Sequence, residues 1–320
     1  MRDHVGIAGL GIYIPDNYMT AKEISEATKG EWVEEAVIEK LGINRKPIPG
    51  PNDGTEEMGY RAAKDLIDTH NIDSMSIDMI ISIGEEWKEY PLTTSAIYIQ
   101  EKIGAYNAFA FDLQQRCCTN ITAMKVAKDM MLANEDINTV LICGGYRNGD
   151  HIDFTNSRVS FMFNLSAGGG AILLKKNYGR NQLLETSIMT DGSFARDVAV
   201  RYGGTVNPIT EENVHLASKT LDVFDVEGMK SRLNEKSTPN FLFVIRDALE
   251  KSGYTQEDLD YLAILHFKDY GHMGQIDQIL SLKLALDEEK IKDGDIVATV
   301  GAGIGYAWAA NVIKWGKVED

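Results

Sequence analysis

Cysteine frameworks, long apolar runs and an excess of basic charge are all missing from this sequence. Three cysteines in 320 residues, an odd number without framework spacing, exclude a disulfide scaffold and fit a reducing compartment. No Cys/His cluster has zinc-finger spacing, so no metal is expected. No apolar stretch approaches the roughly 18 residues of a membrane helix, and Met1-Arg2-Asp3-His4 opens no signal peptide. The expectation is a cytoplasmic, soluble protein. Acidic residues outnumber basic ones 48 to 32, for a net charge of −16, which disfavours nucleic acid and anionic membrane surfaces as partners. Neither Gly168 to Gly170 nor Gly301 to Gly305 has GxGxxG spacing after a first strand, or a Walker lysine. Tight backbone packing explains them better than phosphate binding.

What is present is a strand and helix alternation with 44% apolar residues, enough for a substantial core. Val5 to Ile14 reads as a strand. Asp53 to His70 reads as a helix capped by Asp53 or Thr55, with Met58, Ala62, Leu66 and Ile67 on one face. Strands are expected at Ile77 to Ile83, Phe109 to Leu113, Thr139 to Gly144 and Gly169 to Leu174, and helices at Thr93 to Ile103 and Thr119 to Ala133. A linker-like stretch with Asn177, Gly179 and Asn181 then opens a second set, ending in Asp295 to Thr299 and Ala307 to Lys314. The pattern is α/β, in two halves of similar length.

One thiol stands out by position. The run Phe109-Ala110-Phe111-Asp112-Leu113-Gln114-Gln115-Arg116-Cys117-Cys118 passes from a strand into a helix. A cysteine at a helix start faces unpaired N–H groups and the positive end of a dipole, conditions that favour a nucleophilic thiolate. A cysteine in an apolar α/β core is also commonly a small buried hydrophobe. Cys118 and Cys143 read as such packing residues.

Near the carboxyl end a second signature appears: Lys292-Asp293-Gly294-Asp295-Ile296-Val297, then Gly301-Ala302-Gly303-Ile304-Gly305-Tyr306-Ala307-Trp308. With Phe111 placed six residues before Cys117, these segments resemble the β-ketoacyl-ACP synthase III branch of the thiolase superfamily. Ile38 to Arg45 resembles its Gly-Ile-x-x-Arg segment, Asp191-Gly192 and Gly203-Gly204 its mid-chain loop, and Phe241 to Gly253 the helix before its histidine strand. The resemblance covers nearly the whole chain. It implies a thiolase fold, two related halves in a five-layered α-β-α-β-α arrangement, here 1–176 with the nucleophile and 177–320 with the histidines and the glycine-rich loop. It also implies a homodimer.

The same resemblance assigns roles. Cys117 would be the nucleophile, and His266, after the strand-like Leu259 to Leu265, the first choice for the catalytic histidine. Counting back from Gly294-Asp295 puts His272 where the family has asparagine, only six positions after His266, although the family has a helix and a strand between the two. Glu85 or Glu86 ends a buried strand where HMG-CoA synthases, in the same superfamily, carry a general base. Backbone N–H groups of Cys117 and Ile304 would form the oxyanion hole. Lys40 and Arg45 would meet the phosphates of the thioester carrier, with Lys230 and Arg232 as further cations; Trp32 is not matched to the family's CoA-stacking tryptophan.

The implied activity is acyl transfer from acyl-CoA onto Cys117 and Claisen-type condensation, with acyl carrier protein as a second possible partner and no cofactor. Three other readings stay open. They are HMG-CoA synthase-like condensation with Glu85 as base, acyl transfer to oxygen, nitrogen or water, and a non-catalytic subunit, which the short His266 to His272 interval favours.

Overall fold

The structure, a computed structural model, describes residues 3–217, 221–264 and 266–318. The chain opens with β1 (Val5–Tyr13), β2 (Asn17–Thr20), α1 (Ala21–Ala27), α2 (Glu34–Leu41), β3 (Arg45–Ile48) and α3 (Thr55–His70). It continues through β4 (Met79–Ser82), α4 (Ser95–Ile103), β5 (Phe109–Asp112), α5 (Thr119–Ala133), β6 (Thr139–Tyr146) and β7 (Gly168–Lys176). The remainder comprises β8 (Arg180–Thr190), β9 (Val198–Val200), β10 (Leu221–Val223), α6 (Val226–Lys251), β11 (Tyr261–Ala263), α7 (Phe267–Tyr270), α8 (Asp277–Asp287), β12 (Ile296–Gly303) and β13 (Ala307–Lys317).

Period-two alternation in the buried strands decides the layering. Along β6 and β7, Val140, Ile142, Ile172 and Leu174 pack with Ala123, Met124 and Ala127 of α5. Their neighbours Leu141, Cys143, Ala171 and Leu173 pack on the other face with Ala62, Ala63 and Leu66 of α3. Each fully buried Ile or Leu is worth roughly 1.5–3 kcal/mol, so a one-residue slip in register would forfeit both faces together. Close approach of α3 needs glycine in the sheet: a Cβ on Gly169 would lie 2.1 Å from the Met58 carbonyl oxygen.

Among the described residues nine strands form one sheet in the order β11-β12-β13-β8-β1-β7-β6-β4-β5. Its two arms meet at a single residue pair, Gly6 with Gln182, between β1 and β8. Outward from that junction both arms run the same way. β1 is antiparallel to β7, β7 to β6, and β6 is parallel to β4; β8 is antiparallel to β13, β13 to β12, and β12 is parallel to β11. The first arm adds β5 beyond β4, and the second has no described counterpart. Helices α5 and α8 touch strands of both arms, while α3 lies on the first arm and α6 on the second. This is the five-layered α/β arrangement of the thiolase fold.

The expected cap of α3 is corrected. Gly54 is the N-cap residue, and the carboxylate of Glu89 accepts the N–H groups of Glu56 (2.9 Å) and Glu57 (3.2 Å). Asp53 is occupied elsewhere, accepting from Gly50 N–H, the Tyr13 hydroxyl and Arg61. The expected strand through Leu265 stops at Ala263, and Leu265 itself lies outside the described residues.

Candidate active site

The segment between β5 and α5 is shaped by side chains that hold its own backbone. Thr119 Oγ1 donates to the Arg116 carbonyl (2.6 Å) and accepts from Gln115 N–H (2.7 Å). Between them Arg116 takes a φ of 53°, a left-handed conformation that costs a residue with a side chain roughly 1–2 kcal/mol. Cys117 follows in a short 3-10 turn, two residues before α5 begins. Strand β12 presses against this turn: a Cβ on Gly303 would lie 3.0 Å from Cys117 N, and Gln278 of α8 donates to the Cys117 carbonyl (3.2 Å). Only glycine at 303 leaves room for that approach.

Cys117 Sγ lies 3.4 Å from Nε2 of His272. The opposite ring nitrogen, Nδ1, bonds to Oδ2 of the buried Asp277, whose other oxygen accepts the Met273 N–H (2.8 Å). The imidazole is thereby fixed between a carboxylate and a thiol. Burial works against its charged form, yet the Asp277 carboxylate and the sulfur of Cys117 hold His272 well above the ordinary histidine value. Backbone bonds fix the residue on both sides: His272 N–H donates to the Asn164 carbonyl and Ser166 N–H to the His272 carbonyl, each at 2.9 Å.

A second polar group flanks the cysteine. Glu85 is 6% exposed, and its Oε2 accepts from Asn148 Nδ2 (2.7 Å) and Arg116 Nη1 (3.3 Å). Burial lifts its carboxyl above the ordinary value against the opposing pull of Arg116 and Asn148. Glu86, exposed, shares the same guanidinium through Arg116 Nη2 (3.2 Å). Tyr146, buried beside Asn148, has its phenol pushed well above the ordinary range, first by burial and then by the negative charge of Glu85.

Cys117, His272 and, through Arg116, Glu85 therefore come together. His266 takes the N-cap position of α7 without a side-chain cap bond; burial lowers its imidazole, and its charged neighbours are Glu288, Lys290 and Asp277. No hydrogen bond joins it to Cys117 among the described residues. The histidine in contact with the thiol is His272. Ile304 sits in the turn after Gly303. Lys40 is exposed in the last turn of α2, and exposed Arg45 pairs with Asp269 at 3.4 Å. Arg232 pairs with Asp197 at 2.6 Å, and Trp32 packs edge-on against Phe163. Cys118 donates to the Gly301 and Ala307 carbonyls, and burial pushes both its thiol and that of Cys143 far up. Both are inert packing thiols in this geometry.

Sequence reasoning missed Asp277, Asn148 and Tyr146. Only Asp277 left a signal, a carboxylate in the first turn of a helix five residues after a histidine. Among the described residues no group of three His, Cys, Asp or Glu side chains is placed to hold a metal ion.

Two matching arms, with a cysteine at the head of one central helix and a histidine ahead of the other, place this chain among thiolase-fold enzymes. Comparison with known proteins narrows the class. The model of 3-oxoacyl-[acyl-carrier-protein] synthase III matches residues 111–192, and its C-terminal counterpart matches 245–315. A β-ketoacyl-[acyl-carrier-protein] synthase III of Prochlorococcus marinus subsp. pastoris is 28% identical, over 98% of this chain and 97% of that one. One from Caldanaerobacter subterraneus is 25% identical, over 98% of each. The crystal structure of the Aquifex aeolicus synthase III aligns with a TM-score of 0.82 at 19% identity, covering 97% of this chain and 100% of its own. OleA of Xanthomonas campestris aligns at 0.80 with 16% identity, covering 98% of each chain. Over nearly its whole length the chain is similar to β-ketoacyl-ACP synthase III, and it is a synthase III-like condensing acyltransferase.

Proposed function

We propose that Cys117 carries the acyl group, with His272 and Asp277 as its partners; the 3.4 Å contact between Cys117 Sγ and His272 Nε2 is the observation behind this reading. The thiol proton passes to Nε2, and Asp277 supports the imidazolium that results. The thiolate attacks the carbonyl carbon of an acyl-CoA, and the oxyanion is held by the N–H groups of Cys117 and Ile304. CoA departs as a thiolate that takes its proton from solvent, so the Nε2 proton stays on His272 for the condensation step. The acylated cysteine then meets a carbon nucleophile made from a second thioester, carried on CoA or on acyl carrier protein, and the new carbon-carbon bond expels the Cys117 thiolate. His272, protonated at Nε2, donates to the enolate oxygen of that nucleophile. Lys40 and Arg45, both exposed, meet the phosphates of the carrier.

The two halves, 1–176 and 177–320, divide this work: the first supplies the nucleophile and the second the histidine and the oxyanion loop. The enzyme works as a homodimer. In support, β5 ends the sheet with an edge unpaired among the described residues, and Phe109, Tyr106 and Ile97 expose apolar surface around it.

Incubation of the protein with acyl-CoA leaves the acyl mass on the peptide containing Cys117. No adduct across several chain lengths sinks the proposal. One observation supports a second reading of the condensation step. Asn148 and Arg116 both donate to Oε2 of Glu85, whereas Oε1 receives no hydrogen bond among the described residues. A buried carboxylate with a free oxygen and a raised pKa is suited to removing an α-proton. Glu85→Gln would then abolish condensation of two simple acyl thioesters and spare condensation with a malonyl thioester. Equal loss of both reactions would reject Glu85 as the base.

A further inference from the structure

Strand β3 carries a lysine with no negative group waiting for it. Lys46 is 2% exposed, and its Nζ donates to the carbonyls of Phe163 (2.6 Å) and Leu165 (2.7 Å), 5.0 Å from the centre of the Phe154 ring. Among the described residues no carboxylate pairs with it. An ammonium buried on carbonyls alone is costly, and burial lowers this one to about 7. A neutral amine still has two N–H bonds, one for each carbonyl, so the contact survives on either side of that value.

The two carbonyls flank a third that serves the reaction. Asn164 lies between them, and its carbonyl accepts the His272 N–H (2.9 Å), while Ser166, the next residue on, donates to the His272 carbonyl (2.9 Å). Leu165 and His272 pair as an isolated parallel bridge. In the turn that closes the 3-10 helix Ser157–Met162, Phe163 and Leu165 therefore present their carbonyls to Lys46, and Asn164 between them presents its carbonyl to His272. Gly271 lets these backbones close: its φ is 64°, and a Cβ there would lie 2.9 Å from Lys46 Cβ and 2.6 Å from the Asn164 oxygen. We propose that Lys46 is a positioning residue that fixes His272 against Cys117 through the stretch from Phe163 to Ser166. This rests on Cys117 and His272 being the reacting pair, and the experiment separates the two claims.

Four proteins are compared: wild type, Lys46→Met, Lys46→Arg and His272→Ala. Cys117 alkylation by iodoacetamide is followed against pH by peptide mass spectrometry, alongside kcat, KM and far-ultraviolet circular dichroism. Lys46→Met keeps the stem and removes the donors; it folds, loses roughly 100-fold in kcat and holds KM within about twofold. Its Cys117 is alkylated roughly 10-fold more slowly at pH 7, because a displaced imidazole takes up the thiol proton less readily. Lys46→Arg retains donors for both carbonyls and recovers most of the kcat. A folded Lys46→Met with wild-type kcat and alkylation rate overturns the inference, as does a Lys46→Arg enzyme as slow as Lys46→Met. Failure of both to fold also overturns it, since Lys46 would then serve the whole fold. An alkylation rate unchanged in His272→Ala instead rejects the reacting pair, whatever the lysine variants show.

Discussion

Replacing Asp277 by asparagine tests the charge arrangement at the nucleophile without emptying the site. The amide side chain is nearly isosteric with the carboxylate, and its oxygen could still accept the Met273 N–H that Asp277 Oδ1 now takes at 2.8 Å. What is lost is the negative charge beside His272 Nδ1. A hydrogen bond to a charged group contributes about 1.5–3 kcal/mol, and a pKa unit corresponds to about 1.4 kcal/mol, so the imidazolium loses one to two units of support. The thiolate–imidazolium pair falls by the same factor, and Cys117 acylation should slow about 10- to 100-fold at pH 7. Rapid-quench mixing with acyl-CoA, read as intact protein mass, gives that rate directly. Asp277→Ala also strands the Met273 N–H in a buried site and should cost about 1–3 kcal/mol of stability that the asparagine variant keeps. An Asp277→Asn enzyme acylated within twofold of wild type would refute the view that this carboxylate sustains the pair.

The pH dependence of stability carries a definite sign. His272 is raised in the folded protein, so its contribution is fully present below the unfolded histidine value near 6.5 and is lost as pH climbs through the higher folded value. The Tm difference between wild type and His272→Gln should therefore narrow from pH 6 to alkaline pH in differential scanning calorimetry, and a gap that widens contradicts the assignment. Gly303→Ala places a Cβ 2.9 Å from Arg116 Cβ and 3.0 Å from Cys117 N. Overpacking of this kind costs about 1–3 kcal/mol and moves the nucleophile, so urea unfolding should register the loss together with slower acylation. A variant as stable and as active as wild type would show that the strand does not hold the cysteine turn.

Much of the first arm was legible because its signals are local. Short continuous apolar runs specify β6 and β7, the stripe of Met58, Ala62 and Leu66 specifies α3, and both helices around Cys117 begin within two residues of the expected places. The cap of α3 was not legible, since Glu89 reaches it from 33 residues along the chain. The cysteine could be read from its position between strand and helix. Its partner could not, because which of two nearby histidines meets the thiol depends on how the second arm packs, and periodicity carries no such information. Asn148 and Tyr146 were invisible for the same reason: they face Glu85 only once β6 lies beside β4.

The shortened second arm accounts for the choice between the histidines. In the first arm the order is β4, β5, Cys117, α5, β6; in the second it is β11, His266, His272, α8, β12, with no described strand in the place of β5. His266 therefore matches the end of β4, where Glu85 lies, whereas His272 matches Cys117 as the residue that precedes a central helix. With that strand and its helix absent among the described residues, the segment after β11 has only α7 in which to turn back to the cysteine, and His272 is the residue that arrives. An aspartate in the first turn of α8 then lies within reach of its ring. A His266→Ala enzyme should accordingly keep Cys117 acylation within about threefold of wild type, as expected for a residue outside the reacting pair, and His272→Ala should lose roughly 100-fold or more. Stopped-flow acylation of the two variants side by side decides between them, and the reverse ranking would overturn this account of the second arm.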